Sequence, residues 1–154
     1  IPGNLERDNG AILTVTGTIW VAGEVKLSNN CIIQLSPSYG TLSGVIVTDN
    51  KATISNNCAF SGSGSPGSYV MLLSDMNAPG VEVMTVDNNS LGVIYYVGRG
   101  RIKFSNNATA KEATAYCITL DNNAVVTYDS GLANAQFSSG PSGGYNILRW
   151  RRVE

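Results

Sequence analysis

The sequence predicts an all-β, single-domain parallel β-helix (β-solenoid) of about six or seven rungs with an inward Asn ladder. Three observations predict it. One corner motif recurs six times in 154 residues, and period-two columns of apolar and small residues flank each copy. The composition, dominated by Ser, Thr, Asn, Val, Ile and Gly, favours strands and turns over helices.

The motif is plainest in Leu27-Ser28-Asn29-Asn30-Cys31-Ile32-Ile33 and Ile54-Ser55-Asn56-Asn57-Cys58-Ala59-Phe60. It returns around Asn88-Asn89, Asn106-Asn107 and Asn122-Asn123, with a degenerate first copy at Asp8-Asn9-Gly10-Ala11. Two residues before the first Asn stand Arg7, Leu27, Ile54, Val86, Phe104 and Leu120; two after stand Ala11, Cys31, Cys58, Ser90, Ala108 and Ala124; four after stand Leu13, Ile33, Phe60, Gly92, Ala110 and Val126. That alternation is the mark of strands with one buried face. Asn9, Asn29, Asn56, Asn88, Asn106 and Asn122 fall in the same inward column. A buried amide is costly unless bonded, so amides stacked at the ~4.8 Å spacing of neighbouring strands predict a hydrogen-bonded ladder. The second Asn, replaced by Gly10 in the first copy, predicts a left-handed bend between strands.

Residues 1–8 read as an entry segment, with Arg7 where later copies are apolar, as suits an exposed first rung. Residues 9–127 read as repeat rungs. Within them, Gly17-Thr18-Ile19-Trp20-Val21, Gly44-Val45-Ile46-Val47-Thr48 and Gly92-Val93-Ile94-Tyr95-Tyr96 predict a second strand class at a similar distance before the next corner. Successive corners are 20, 27, 32, 18 and 16 residues apart. The shortest spacings approximate a bare turn, and the long ones hold Ser/Gly/Pro-rich loops at 36–43, 61–68 and 74–80 that bulge outward as a contact surface. Tyr128 to Ala135 predicts a short helical or turn segment and 138–144 a loop. Residues 145–154 read as a final strand covering the last rung, with Arg149, Arg151 and Arg152 as capping charges, so that 128–154 forms a C-terminal rung or cap.

Charged residues are 14% and the net charge is −1, which gives no electrostatic basis for a nucleic-acid partner. The absence of His removes the commonest general base and metal ligand. Cys31, Cys58 and Cys117 show no C-x-x-C spacing, so no metal or cofactor is expected. Cys31 and Cys58 share a column on successive rungs and read as buried thiols, with a disulfide as the alternative. No apolar run is long enough to insert in a membrane. The start at Ile1-Pro2-Gly3, without Met, is what a processed chain or a fragment would show.

On these motifs the chain resembles the right-handed parallel β-helix class of pectate lyases, phage tailspikes and many bacterial surface proteins. It is most similar to β-helical regions of uncharacterised bacterial envelope proteins, some pilus-associated, in which a Leu/Ile-Ser-Asn-Asn-Ala corner alternates with a Gly-x-Ile-x-Val strand. Ser130-Gly131-Leu132-Ala133-Asn134-Ala135-Gln136-Phe137 looks like the ending of the same group. The resemblance covers residues 9–154 and implies a fold rather than an activity.

Polysaccharide-active enzymes on such a fold need clustered or paired carboxylates. Asp8, Asp87 and Asp121 alternate with serines in their column, leaving Asp87 and Asp121 roughly 10 Å apart. Ice binding needs a Thr ladder, but Thr14, Thr16 and Thr18 have no counterpart at Val45-Ile46-Val47. No catalytic residue is therefore expected. The function expected is a non-enzymatic structural module of a bacterial envelope or appendage protein, extracellular or at the cell surface, partnered by further copies of itself end to end or side by side. The alternative is a carbohydrate-binding adhesin that presents Tyr39, Tyr69, Tyr95 and Tyr96 to surface glycans.

Overall fold

The structure is a computed structural model and describes residues 1–138. In chain order the strands are β1 (Leu5–Arg7), β2 (Ile12–Val15), β3 (Ile19–Val21), β4 (Val25–Leu27), β5 (Ile32–Leu35), β6 (Leu42–Thr48), β7 (Ala52–Ile54), β8 (Ala59–Ser61), β9 (Val70–Ser74), β10 (Glu82–Val86), β11 (Ile94–Phe104), β12 (Thr109–Ala110), β13 (Glu112–Leu120), β14 (Val125–Val126) and β15 (Gln136–Phe137). Every pairing among them is parallel. The described chain is thus all-β, built on a large curled parallel sheet.

A pass, from one Asn corner to the next, contributes a strand after the corner, a middle strand and a strand before the next corner. Strands β2, β5 and β8 stack after the corner, and Leu91 bridges β8 to β12, which pairs β14. The middle strands β3, β6 and β9 stack in that order onto the first half of β11, which pairs β13. Strands β1, β4, β7 and β10 stack before the corner onto the second half of β11. Residues 1–8 are therefore not merely an entry segment, because β1 pairs with β4 and buries Leu5.

The interior is formed by most of the predicted columns, but Leu120, expected to face inward in the last copy, is exposed. Leu27, Ile54, Val86 and Phe104 before the corners are buried, as are Cys31, Cys58, Ser90 and Ala108 after them. Gly92 departs from the bulky column at Leu13, Ile33 and Phe60 for a steric reason. Tyr95 crosses the interior between Phe60 and Phe104, with ring centroids 5.9 and 5.6 Å away, both edge-on. A Cβ on Gly92 would lie 2.0 Å from the Tyr95 hydroxyl oxygen.

The corners differ from the strand-column expectation. Both residues of every corner have a left-handed backbone, from φ 45° at Asn122 to 74° at Gly10. The first Asn is thus part of the bend and not an extended strand residue, and it is half-buried or exposed rather than pointing into the core. Two left-handed residues turn the peptide between them along the stacking direction. The N–H of Gly10, Asn30, Asn57, Asn89 and Asn107 donates to the first-Asn carbonyl of the next pass at 2.8–2.9 Å.

The side-chain amides follow. Asn56 donates to Asn29 (2.9 Å), Asn88 to Asn56 (2.8 Å), Asn106 to Asn88 (3.2 Å) and Asn122 to Asn106 (3.0 Å). Where an Asp precedes the corner it also accepts: Asn106 donates to the Asp87 carboxylate at 2.7 Å as well as to Asn88, and at the first end Asn29 donates to the Asp8 carboxylate at 2.7 Å, not to Asn9. The second Asn residues form an outer series, from Asn57 to Asn30 at 3.1 Å up to Asn123 to Asn107 at 3.5 Å.

Asn56→Ala removes amide bonds to both neighbours and forces a β-carbon residue without a polar side chain into the left-handed region. Unfolding in urea should show a loss of about 2–4 kcal/mol. Asn56→Gly, which keeps the backbone at ease, should lose only about 1–2 kcal/mol. Equal losses would show that the amide bonds, and not the backbone, set the cost.

Candidate contact surfaces

Two Ser/Gly loops meet on one side. Pro37 initiates a short 3-10 turn to Tyr39, capped by the Ser36 hydroxyl. The loop of the next pass lies against it: Ser63 Oγ donates to the Gly40 carbonyl, Ser68 Oγ to that of Leu42 at 2.7 Å, and Ser43 Oγ to that of Gly67 at 3.4 Å. Together they border an uncharged groove of about 510 Å³ between Gln34, Pro37, Ser61, Ser65 and Pro66. The third loop borders a more polar groove of about 460 Å³ with Ser74, Asp75, Asn77, Tyr96, Gly98 and Arg99.

The aromatic expectations divide. Tyr39, Tyr69 and Tyr95 are buried and offer no ring to a ligand. Tyr39 packs beside Gly44, and Tyr95 fills the interior. Tyr69 lies under the Lys111 ammonium, 5.2 Å from its ring centroid. Burial pushes the Tyr95 hydroxyl well above its ordinary value. Tyr96, its outward neighbour, is half-buried and lines the polar groove. An exposed ring not singled out beforehand is Trp20, whose indole N–H donates to Asp49 at 3.0 Å. Trp20, Val47, Leu73 and Tyr96 occupy one register column across β3, β6, β9 and β11. The three registers together would have shown that column; the sequence alone did not align β9.

Residues 128–138 do not continue as a terminal rung. They cross back over the outside as a strap, containing the expected short helical segment at Ser130–Asn134. Thr127 still bonds to Ala110 of the neighbouring pass. Asp129 then meets the Lys111 ammonium at 2.5 Å and caps the Gly131 N–H at 2.9 Å. Leu132 packs with Tyr69, Val93 and Ile94, with Ala135 and Phe137 alongside. Strand β15 pairs with Leu42–Ser43 of β6, and the Ser138 N–H reaches the Ser43 carbonyl. The strap thus runs from the late passes to the second, drawn by an ion pair and by apolar side chains that need cover. The expected final strand at 145–154 and its arginines Arg149, Arg151 and Arg152 lie outside the described residues.

Among the described residues, no three His, Cys, Asp or Glu side chains gather as a metal cage, and no helix is long and apolar enough to cross a membrane. No family model matches the chain, and no curated protein or solved structure is detectably similar to it.

The Asp129 carboxyl is held below the usual carboxylate range, first by its bond from Lys111 and then by the Gly131 N–H. A lowered folded value means a stabilising contribution present above the ordinary carboxylate pKa and lost as pH falls through the folded one. Protection of the Ala135 and Ser138 amides from hydrogen exchange should fall across that acid range. Asp129→Asn should reduce it by roughly two- to fivefold already at neutral pH. Unchanged protection in the variant would show that apolar contacts alone hold the strap.

Proposed function

We propose that the chain is a parallel β-helix of about six or seven rungs, serving as a non-enzymatic structural module of a bacterial envelope or appendage protein, extracellular or at the cell surface. The observation that carries this reading is the column of corners from Asn9 to Asn123, where each backbone N–H donates to the following pass and each inner side-chain amide donates to the preceding one. Such a column makes stiffness and length rather than a reaction centre. It also favours end-to-end assembly. By that polarity, the first-Asn carbonyl and second-residue N–H of stacked corners are complementary, so the Asn122-Asn123 corner of one copy matches the Asn9-Gly10 corner of another. Light scattering over a wide concentration range with negative-stain imaging should reveal rods or filaments. A strictly monomeric species at the highest concentration would overturn the assembly part of the reading.

A second reading, a carbohydrate-binding adhesin module, is favoured by the polar groove at Tyr96. Its ring stands beside Asp75, Asn77 and Arg99, which suit sugar hydroxyls while an aromatic face suits sugar C–H groups. On a glycan array, Tyr96→Ala should weaken any bound glycan about tenfold. Silence of the unmodified protein across the array would remove this reading.

A further inference from the structure

We propose that Cys31 and Cys58 are a cross-linking site: in chains that fold under oxidising conditions they join as a disulfide between two consecutive passes. The stack places them together. Strands β5 and β8 pair with Ile32 opposite Ala59 and Ile33 opposite Phe60, so Cys31 and Cys58, one residue earlier, are opposite each other. The Ala59 N–H donates to the Cys31 carbonyl at 3.0 Å, tying the two backbones at the cysteines themselves. Neighbouring strands lie ~4.8 Å apart, inside the Cα separation that a disulfide spans. The Sγ atoms are 2.8 Å apart, with both residues wholly buried.

The rest of the column holds Ala11, Ser90, Ala108 and Ala124. A small residue is all the corner requires there, and sulfur occurs only in this adjacent pair. Cys117 stands apart on β13, partly exposed and opposite Arg101, and is not a partner.

The chemistry is two thiol–disulfide exchanges with a low-molecular-weight disulfide such as oxidised glutathione. One cysteine thiolate attacks the glutathione disulfide, releasing one glutathione thiol and leaving a mixed disulfide. The second thiolate then displaces the other glutathione, forming the Cys31–Cys58 bond. The protein loses two protons and two electrons, and the oxidant becomes two thiols. The exchange belongs to folding. Once the column closes, burial and the neighbouring Cys58 push the Cys31 thiol up to about 12, and neither sulfur meets solvent. The same burial protects a finished bridge from reductants.

The experiment is refolding of the denatured chain in a glutathione redox buffer and, in parallel, in excess reductant. Thiols are counted in denaturant and the linkage is mapped by non-reducing digestion. The oxidised sample should show one thiol instead of three and a peptide joining Cys31 to Cys58. Reductant without denaturant should leave the link intact. With the cysteines 27 positions apart in the chain, the bridged form should melt on the order of 10 °C above the reduced one. The double variant Cys31→Ala/Cys58→Ala, using the residue that the column already accepts elsewhere, should fold and melt at the same temperature in both buffers. Three thiols after complete refolding in the redox buffer would overturn the proposal. So would linkage to Cys117, or a redox-dependent melt in the double variant.

Discussion

Two consecutive left-handed residues at each corner determine how this chain stacks. In an ordinary strand the peptide groups bond sideways and the side chains stand above and below. Here the corner rotates one peptide so that its N–H and carbonyl join the stack as well, while the N–H of Ala11, Ser90, Ala108 and Ala124 turns back to the carbonyl three residues earlier and closes the bend within its own pass. The left-handed region excludes most residues at a cost of ~1–2 kcal/mol each, and Gly and Asn escape most of it. Asn adds a donor and an acceptor on a short stem, so its amide can bond to the pass on either side. That explains why the corner is Asn-Asn in five copies; in the first, Gly10 keeps the left-handed backbone while the outer amide series stops at Asn30, and the Asn29 amide goes to Asp8.

The corner also solves a register problem. Spacings from 16 to 32 residues between corners mean that the loops offer no constant length to count by. A slip of one residue would turn every buried side chain of a strand outward. Individual amide bonds contribute little, about 1 kcal/mol net. A slipped corner, however, would break the backbone bond, the inner amide bond and the outer amide bond together. Each pass can therefore carry a different loop and still re-enter the stack in phase. The interior shows the same tolerance: Gly92 yields the space that Tyr95 fills from another side of the pass, and Gly44 yields to Leu35 and Tyr39.

Much of this was legible in the sequence because it repeats. The columns at Leu27, Ile54, Val86 and Phe104, and at Cys31 and Cys58, need only alternation to be read, and they are buried as read. The corner was half legible. Gly10 marked the second position as left-handed, but nothing in the first position's identity separates an inward strand Asn from a left-handed one, since Asn fits both. Matching Gly44 to Gly92 as a strand start was off by one: Gly44 pairs with Val70, and Met71 with Ile94, so Gly92 lies before that register and serves Tyr95 instead. Alternation showed that Tyr95 and Tyr96 face opposite ways but could not say which faced out. Tyr39 and Tyr69, on loops, carried no periodicity, and their burial depends on contacts distant in sequence.

The strap is the feature no local pattern could reveal, and it alters the mechanics of the stack. Where each pass touches only its neighbours, stability is a chain of nearest-neighbour terms and the outermost pass frays independently. The segment from Asp129 to Ser138 breaks that rule. It leaves the late passes, lies across Tyr69, Val93 and Ile94, and pairs with Leu42–Ser43. Opening the late passes while keeping the strap docked would stretch the Lys111–Asp129 link; releasing the strap would uncover apolar side chains on the middle strands. Fraying at one end is thereby coupled to exposure in the centre. The corners supply order along the stack, and the strap adds the longer-range cooperativity that repeated corners cannot supply by themselves.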